Sequence, residues 1–152
     1  MAFRFSLESV LKIRASFERL ERLRLLVLQA LANRLRQEIA AARVESSEAQ
    51  RRLQERMAGG TSGGELQFAA AVEQARAARI RALENGLSQV ESRREKQRIV
   101  FEAARQKRQI LENLRARRME EYRRAASRRE QKQADEMHLI RLATRAPEGG
   151  SE

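Results

Sequence analysis

The chain has 152 residues, of which 35% are charged, 41% hydrophobic and only 4% aromatic, with one proline and neither cysteine nor tryptophan. Lysine and arginine number 32 against 21 aspartates and glutamates, a formal charge of +11. So few bulky core residues and chain breakers exclude a compact multilayer globule, and the absence of cysteine excludes a disulfide-stapled secreted scaffold. Alanine, arginine, glutamate, leucine and glutamine dominate instead, the profile of a long helix or coiled coil in one domain, residues 1–152.

The opening segment MAFRFSLESVLKIR carries Arg4, Glu8, Lys12 and Arg14 without an apolar core, so it does not read as a signal peptide. The most apolar run, Leu25 to Ala32, is far shorter than the roughly 20 residues a spanning helix requires. A cytoplasmic protein, peripheral at most to a membrane, is expected.

The first predicted element is a helix over about 5–57. Its apolar positions step by threes and fours through Leu7, Val10, Ile13, Phe17, Leu20, Arg24, Leu28, Leu31, Leu35, Ile39, Ala42, Ser46, Ala49 and Leu53. A glycine-rich turn follows at 58–64, the one cluster of breakers in the body of the chain. The second helix, about 65–144, carries the seam Ala69, Val72, Arg76, Ile80, Leu83, Leu87, Val90, Arg94, Gln97, Phe101, Ala104, Arg108, Leu111 and Leu114, continued less cleanly by Arg118, Tyr122 and Ala125. Gly86 lies inside this periodicity and reads as a tolerated helical glycine. A frayed tail, 145–152, contains Pro147.

Folding the chain at Thr61 pairs residues whose numbers sum to about 122, and the two seams then register along the whole first helix. Neither narrow stripe finds another cover within one chain. The expected fold is therefore all-α, a long two-helix antiparallel coiled-coil hairpin with a C-terminal helical overhang. Phe17 and Phe101 are expected in the seam, and Arg24 and Arg94 to lay their stems across it with their heads in water. With the first helix ending opposite about residue 115, the overhang spans roughly 30 residues, or about 45 Å. Residues 105–145 hold thirteen lysines and arginines against six acids, most of the chain's excess charge.

Chemistry has little to work with here. The single histidine, His138, has no nucleophile or acid partner in a concave site, and no pair of histidines or cysteines exists to bind metal. The segment Gly59-Gly60-Thr61-Ser62-Gly63-Gly64 lacks the Gly-Lys-Ser/Thr ending of a phosphate loop and follows no strand. A non-enzyme without cofactor, metal or small-molecule substrate is expected. The arginine-rich stretches Arg115 to Arg118 and Arg123 to Arg129 are interspersed with Glu112, Glu120, Glu121 and Glu130 and lack aromatic stacking partners. Acidic protein surfaces are their expected target; no nucleic acid is expected, and a steep loss of affinity with salt would favour that alternative.

Three segments carry a resemblance. The opening FRFSLESVLKIR, with Val10-Leu11 and Arg14, resembles the start of FliJ-family flagellar export proteins. EQKQADEM, Glu130 to Met137, is similar to a second segment of that family, and Phe68, Val72, Ala75 and Arg79 are similar to an apolar face it presents after its turn. The glycine-rich turn and the charge at Arg79 depart from the pattern. The resemblance covers nearly the whole chain and implies a component of flagellar protein export, a type III secretion process, whose coiled coil looks like the γ-subunit stalk of rotary ATPases. The partners it implies are the flagellar export ATPase hexamer, the cytoplasmic domain of the membrane export-gate protein, and export chaperones, at the inner face of the plasma membrane. It assigns the ATPase-ring contact to Phe3, Phe5, Leu7, Arg118, Tyr122, Lys132, Asp135 and Glu136, and the gate contact to Phe68, Val72, Ala75 and Arg79. The equivalent stalk protein of a virulence injectisome is an alternative, as is self-association through Leu23, Leu26 and Val27.

Overall fold

In a computed structural model of the chain, residues 3–145 are described. They form two helices, α1 (Glu8–Ala58) and α2 (Gly63–Arg145), packed against each other as a hairpin whose second helix is the longer. No strand occurs among the described residues, and no helix is long and apolar enough to cross a membrane. The expected tail lies, beyond Arg145, outside the described residues.

Local chemistry explains the turn. Gly60 alone among the described residues holds a positive φ, +92°, a conformation a side chain would strain. The amides of Gly59 and Gly60 donate to the carbonyls of Arg56 and Met57, and the Thr61 hydroxyl donates to the Arg56 carbonyl, so two of the free carbonyls ending α1 are satisfied. Helix α2 then starts two residues earlier than its glycines suggest. Ser62 Oγ accepts from the Glu65 amide while a Glu65 carboxylate oxygen accepts from the Ser62 amide, both at 3.3 Å. This reciprocal capping box carries Gly63 and Gly64 into the first helical turn.

Contacts gather the helices into two units, Ser16–Arg105 and the pairing of Met1–Ala15 with Gln106–Glu152. In the Ser16–Arg105 unit the expected register holds. Arg43 Nη2 bonds Glu84 at 2.5 Å, Arg36 bonds Glu91, and Glu73 accepts from Ser46 and Gln50, each pair joining the two helices. Every α2 seam position from Ala69 to Leu114 is buried or half-buried, as expected. In α1 the same holds for Leu28, Leu35, Ile39, Ala42, Ser46, Ala49 and Leu53, with Ile39 at 6% and Ala42 at 8% exposure.

The other half of the α1 seam is overturned. Phe17, Leu20, Arg24 and Leu31 are exposed, and the covered positions are each one residue further along: Glu18, Glu21, Leu25 and Ala32. Ala32 is fully enclosed. The α2 face explains the rotation. Opposite this stretch the α2 seam includes Gln97, whose amide donor would find no acceptor against leucine and phenylalanine, whereas Arg94 is already paired with Glu91 on its own helix. With α1 turned by one position, Gln97 Nε2 donates instead to the Glu21 backbone carbonyl at 3.1 Å and to the Glu21 carboxylate. Arg24 keeps its head in water as expected, paired with Glu21 at 2.8 Å.

The second unit shows the same shift: Val10 and Ile13 are exposed, whereas Leu11 is 7% exposed. Its overhang is shorter than expected. The non-helical segment Phe3 to Leu7 continues along α2 past the start of α1, so Tyr122 and Ala126 are still half-buried. Only residues 127–145, about 28 Å of helix at 1.5 Å per residue, are exposed throughout.

Candidate functional site

Two constellations stand out, one in each unit. In the unit containing the N-terminal segment, Phe5 is buried to 8% exposure beneath the Arg118 guanidinium, which lies 5.9 Å from its ring centre. Arg118 Nη1 also donates to Ser6 Oγ at 3.0 Å. The Phe3 and Tyr122 rings meet at 5.6 Å between centroids, tilted by 54°. Arg115 Nε pairs with Glu8 at 3.2 Å in front of the first turn of α1. These contacts explain why an extended segment stays on a polar helix: two aromatic side chains find one ring and one cation, and its hydroxyl finds a donor.

The residues Phe3, Arg4, Phe5, Ser6, Glu8 and Arg115 line an open cleft of about 490 Å³. Of the ring-contact residues that the resemblance implies, Phe3 thus meets Tyr122 and Phe5 meets Arg118, with Leu7 half-buried at the end of the same segment. Lys132, Asp135 and Glu136 do not join them; they are exposed on the far part of α2. Sequence reading passed over Ser6, Glu8 and Arg115, although the hairpin register already placed Glu8 opposite Arg115.

The other constellation follows the turn. Phe68, Val72, Ala75 and Arg79 step by four, three and four along α2, so they share one face. Phe68 is 72% exposed, Ala75 and Arg79 are exposed, and Val72 is half-buried at the edge of the seam. The expected seam includes Val72 and leaves Phe68 outside it, which the structure bears out. A ring of this size so far in water does not contribute to the core; it is available to a partner. The adjoining Glu73 carboxyl is held below its ordinary value of 4.5 by the Ser46 hydroxyl, 2.5 Å away, against the opposing cost of desolvation and with Gln50 and Arg76 assisting.

No group of histidine, aspartate and glutamate residues among the described residues is arranged to hold a metal ion.

A family model described as flagellar FliJ protein matches residues 3–147. The chain belongs to the FliJ family. It is thereby a component of flagellar protein export, in a family of structural export proteins. The N-terminal aromatic segment, the Phe68 face and both helices all lie within the matched span. No curated protein and no solved structure matches the chain.

Proposed function

We propose that this FliJ-family chain is the non-catalytic coupling element of the flagellar export apparatus. In this reading the unit bearing Phe3, Phe5, Leu7, Arg118 and Tyr122, together with Lys132, Asp135 and Glu136, engages the export ATPase hexamer. The face Phe68, Val72, Ala75 and Arg79 meets the cytoplasmic domain of the membrane export-gate protein, and the chain escorts export chaperones. It works as a single domain, cytoplasmic and peripheral at the inner membrane face. The observation that carries the reading is the family match across residues 3–147, which places a hairpin with unequal arms within an export machine. A stalk of this kind changes a ring's hydrolysis by favouring some subunit conformations over others, so it needs no reactive group of its own.

The test is hydrolysis by the cognate flagellar export ATPase with and without this chain, paired with a pull-down. The full chain binds and stimulates; a chain ending at residue 126 loses stimulation, because the exposed helix 127–145 is gone. A Phe68→Ala variant retains ATPase binding and loses capture by the gate protein's cytoplasmic domain. Failure of the full chain to touch the ATPase at moderate salt overturns the proposal.

A further inference from the structure

The rotation of α1 leaves an unused apolar stripe in the Ser16–Arg105 unit. Leu20, Val27 and Leu31 are 43%, 67% and 41% exposed, and Phe17 and Leu23 extend the same surface. Leu23, Arg24, Val27, Leu28 and Gln97 line a groove of about 430 Å³ between the helices.

The two sides of this hairpin differ in charge. On both helices, the residues that follow packed positions meet each other, as Arg36 (after Leu35) meets Glu91 (after Val90) and Arg43 (after Ala42) meets Glu84 (after Leu83). That side carries acids as well as bases, with Glu95 and Glu102 both held by Arg98. Residues that precede packed positions therefore share the opposite side. On α1 they are Leu20, Arg24, Val27, Leu31 and Arg34; on α2 they are Gln89, Arg93, Lys96, Val100 and Ala103. This set contains four cations and no acid; the next position on that side, one turn on, is Glu38. Arg24 and Arg34 are paired with Glu21 and Glu38 on their own helix, whereas Arg93 and Lys96 are exposed, with no carboxylate partner among the described residues.

We infer that this side of the hairpin is the docking surface for one amphipathic helix of a different protein, with an apolar stripe over Leu20, Val27 and Leu31 and acidic residues facing Arg93 and Lys96. A groove between two helices with apolar walls is filled by a third helix, which completes the core that Glu21 and Gln97 leave polar. The charge selects the partner. A second copy of a chain with +11 brings more cations to the same cations, whereas an acidic flank finds complementary ones. This inference stands apart from the ATPase and gate contacts proposed above, because it uses none of their residues.

The test uses the full chain and two labelled synthetic helical peptides with the same leucine stripe, one flanked by glutamate and one by lysine, in an anisotropy titration. The glutamate peptide binds saturably and the lysine peptide does not. Leu20→Gln with Val27→Gln weakens the glutamate peptide by about tenfold or more, with helical circular dichroism unchanged because both sites are exposed. Arg93→Glu with Lys96→Glu weakens the glutamate peptide and admits the lysine peptide, which separates charge selection from simple stickiness. Equal binding of the two peptides, or binding of neither, overturns the inference. So does concentration-dependent self-association removed by the Leu20/Val27 substitutions, which makes the occupant a second copy. Binding to phosphatidylserine vesicles lost on the same substitutions, without peptide binding, assigns the surface to a membrane instead.

Discussion

Along α1, residues 32–53 and residues 17–31 carry apolar side chains at the same helical spacing, yet the first stretch covers its whole expected seam while the second covers Leu25 and Leu28 in part and leaves Phe17, Leu20 and Leu31 exposed. Around Ala32, Ile39 and Ala42 the facing helix offers Ile80, Leu83, Leu87 and Val90, and the apolar stripe turns inward. Around Phe17, Leu20 and Val27 it offers Arg94 and Gln97 beside Phe101 and Ala104, and the stripe turns out to water while Glu18 and Glu21 turn in. A helix face is thus chosen by what it must satisfy on its neighbour as well as by its own hydrophobicity. Glu21 supplies Gln97 with acceptors that a leucine there would not, and an orphaned donor costs about 1–3 kcal/mol. The first stretch is a finished core. The second is half of one.

The sharpest way to break this comparison is to truncate one residue from each stretch. Ile39→Ala should cost about 2–4 kcal/mol in urea denaturation, since its methylenes leave a packed site. Leu20→Ala should change stability by less than about 0.5 kcal/mol, as an exposed position does. Equal losses would mean that Leu20 is packed in solution and the rotation of α1 is wrong.

Glycines sharpen it next, because they sit in both the turn and the body of α2. Gly60→Ala places a side chain at φ +92° and should cost about 1–2 kcal/mol in the same assay. Gly86→Ala should instead stabilise by about 1 kcal/mol, since the position is helical and an added methyl group meets nothing within 4 Å. Ser62→Ala removes one side of the capping box and should cost about 1 kcal/mol, read as a lower thermal midpoint.

The smallest expected effect is a pH dependence from the finished stretch. The Glu73 carboxyl is depressed, chiefly by the Ser46 hydroxyl, so its contribution to stability is present above the ordinary value of 4.5. It is lost as pH falls through the lower native value. Ser46→Ala should raise the Glu73 pKa toward 4.5 in a carboxyl NMR titration and flatten stability against pH in that acidic window. An unchanged titration would remove Ser46 as the cause.

Much of the candidate site was legible before any coordinates. The steps of four, three and four through Phe68, Val72, Ala75 and Arg79 already placed those residues on one face, and the register left Phe68 at its edge. The N-terminal cluster was legible only in part. Phe3, Phe5 and Tyr122 were singled out by residue type, but their meeting depends on a non-helical segment, and periodicity carries no information about a segment without a period. The Ser62–Glu65 capping box has its residue types in the sequence, but the two glycines between them have low helix propensity and read as turn, so the helix start at Gly63 shows only in the reciprocal bonds.

By itself the sequence determined two helices, their antiparallel register and the packed face of α2 from Ala69 to Leu114, since spacing by threes and fours defines a stripe and one breaker cluster defines the fold point. Beyond Leu114 the covered positions are Met119, Tyr122 and Ala126, in place of the expected Arg118 and Ala125. Only the tertiary structure decided which of two adjacent stripes of α1 faces inward between residues 10 and 31, and how far the N-terminal segment covers α2. The two α1 faces differ by one residue in phase and both hold apolar side chains. Choosing between them involved the Gln97 donor opposite, which meets Glu21, a fact that belongs to the pair of helices and to neither alone.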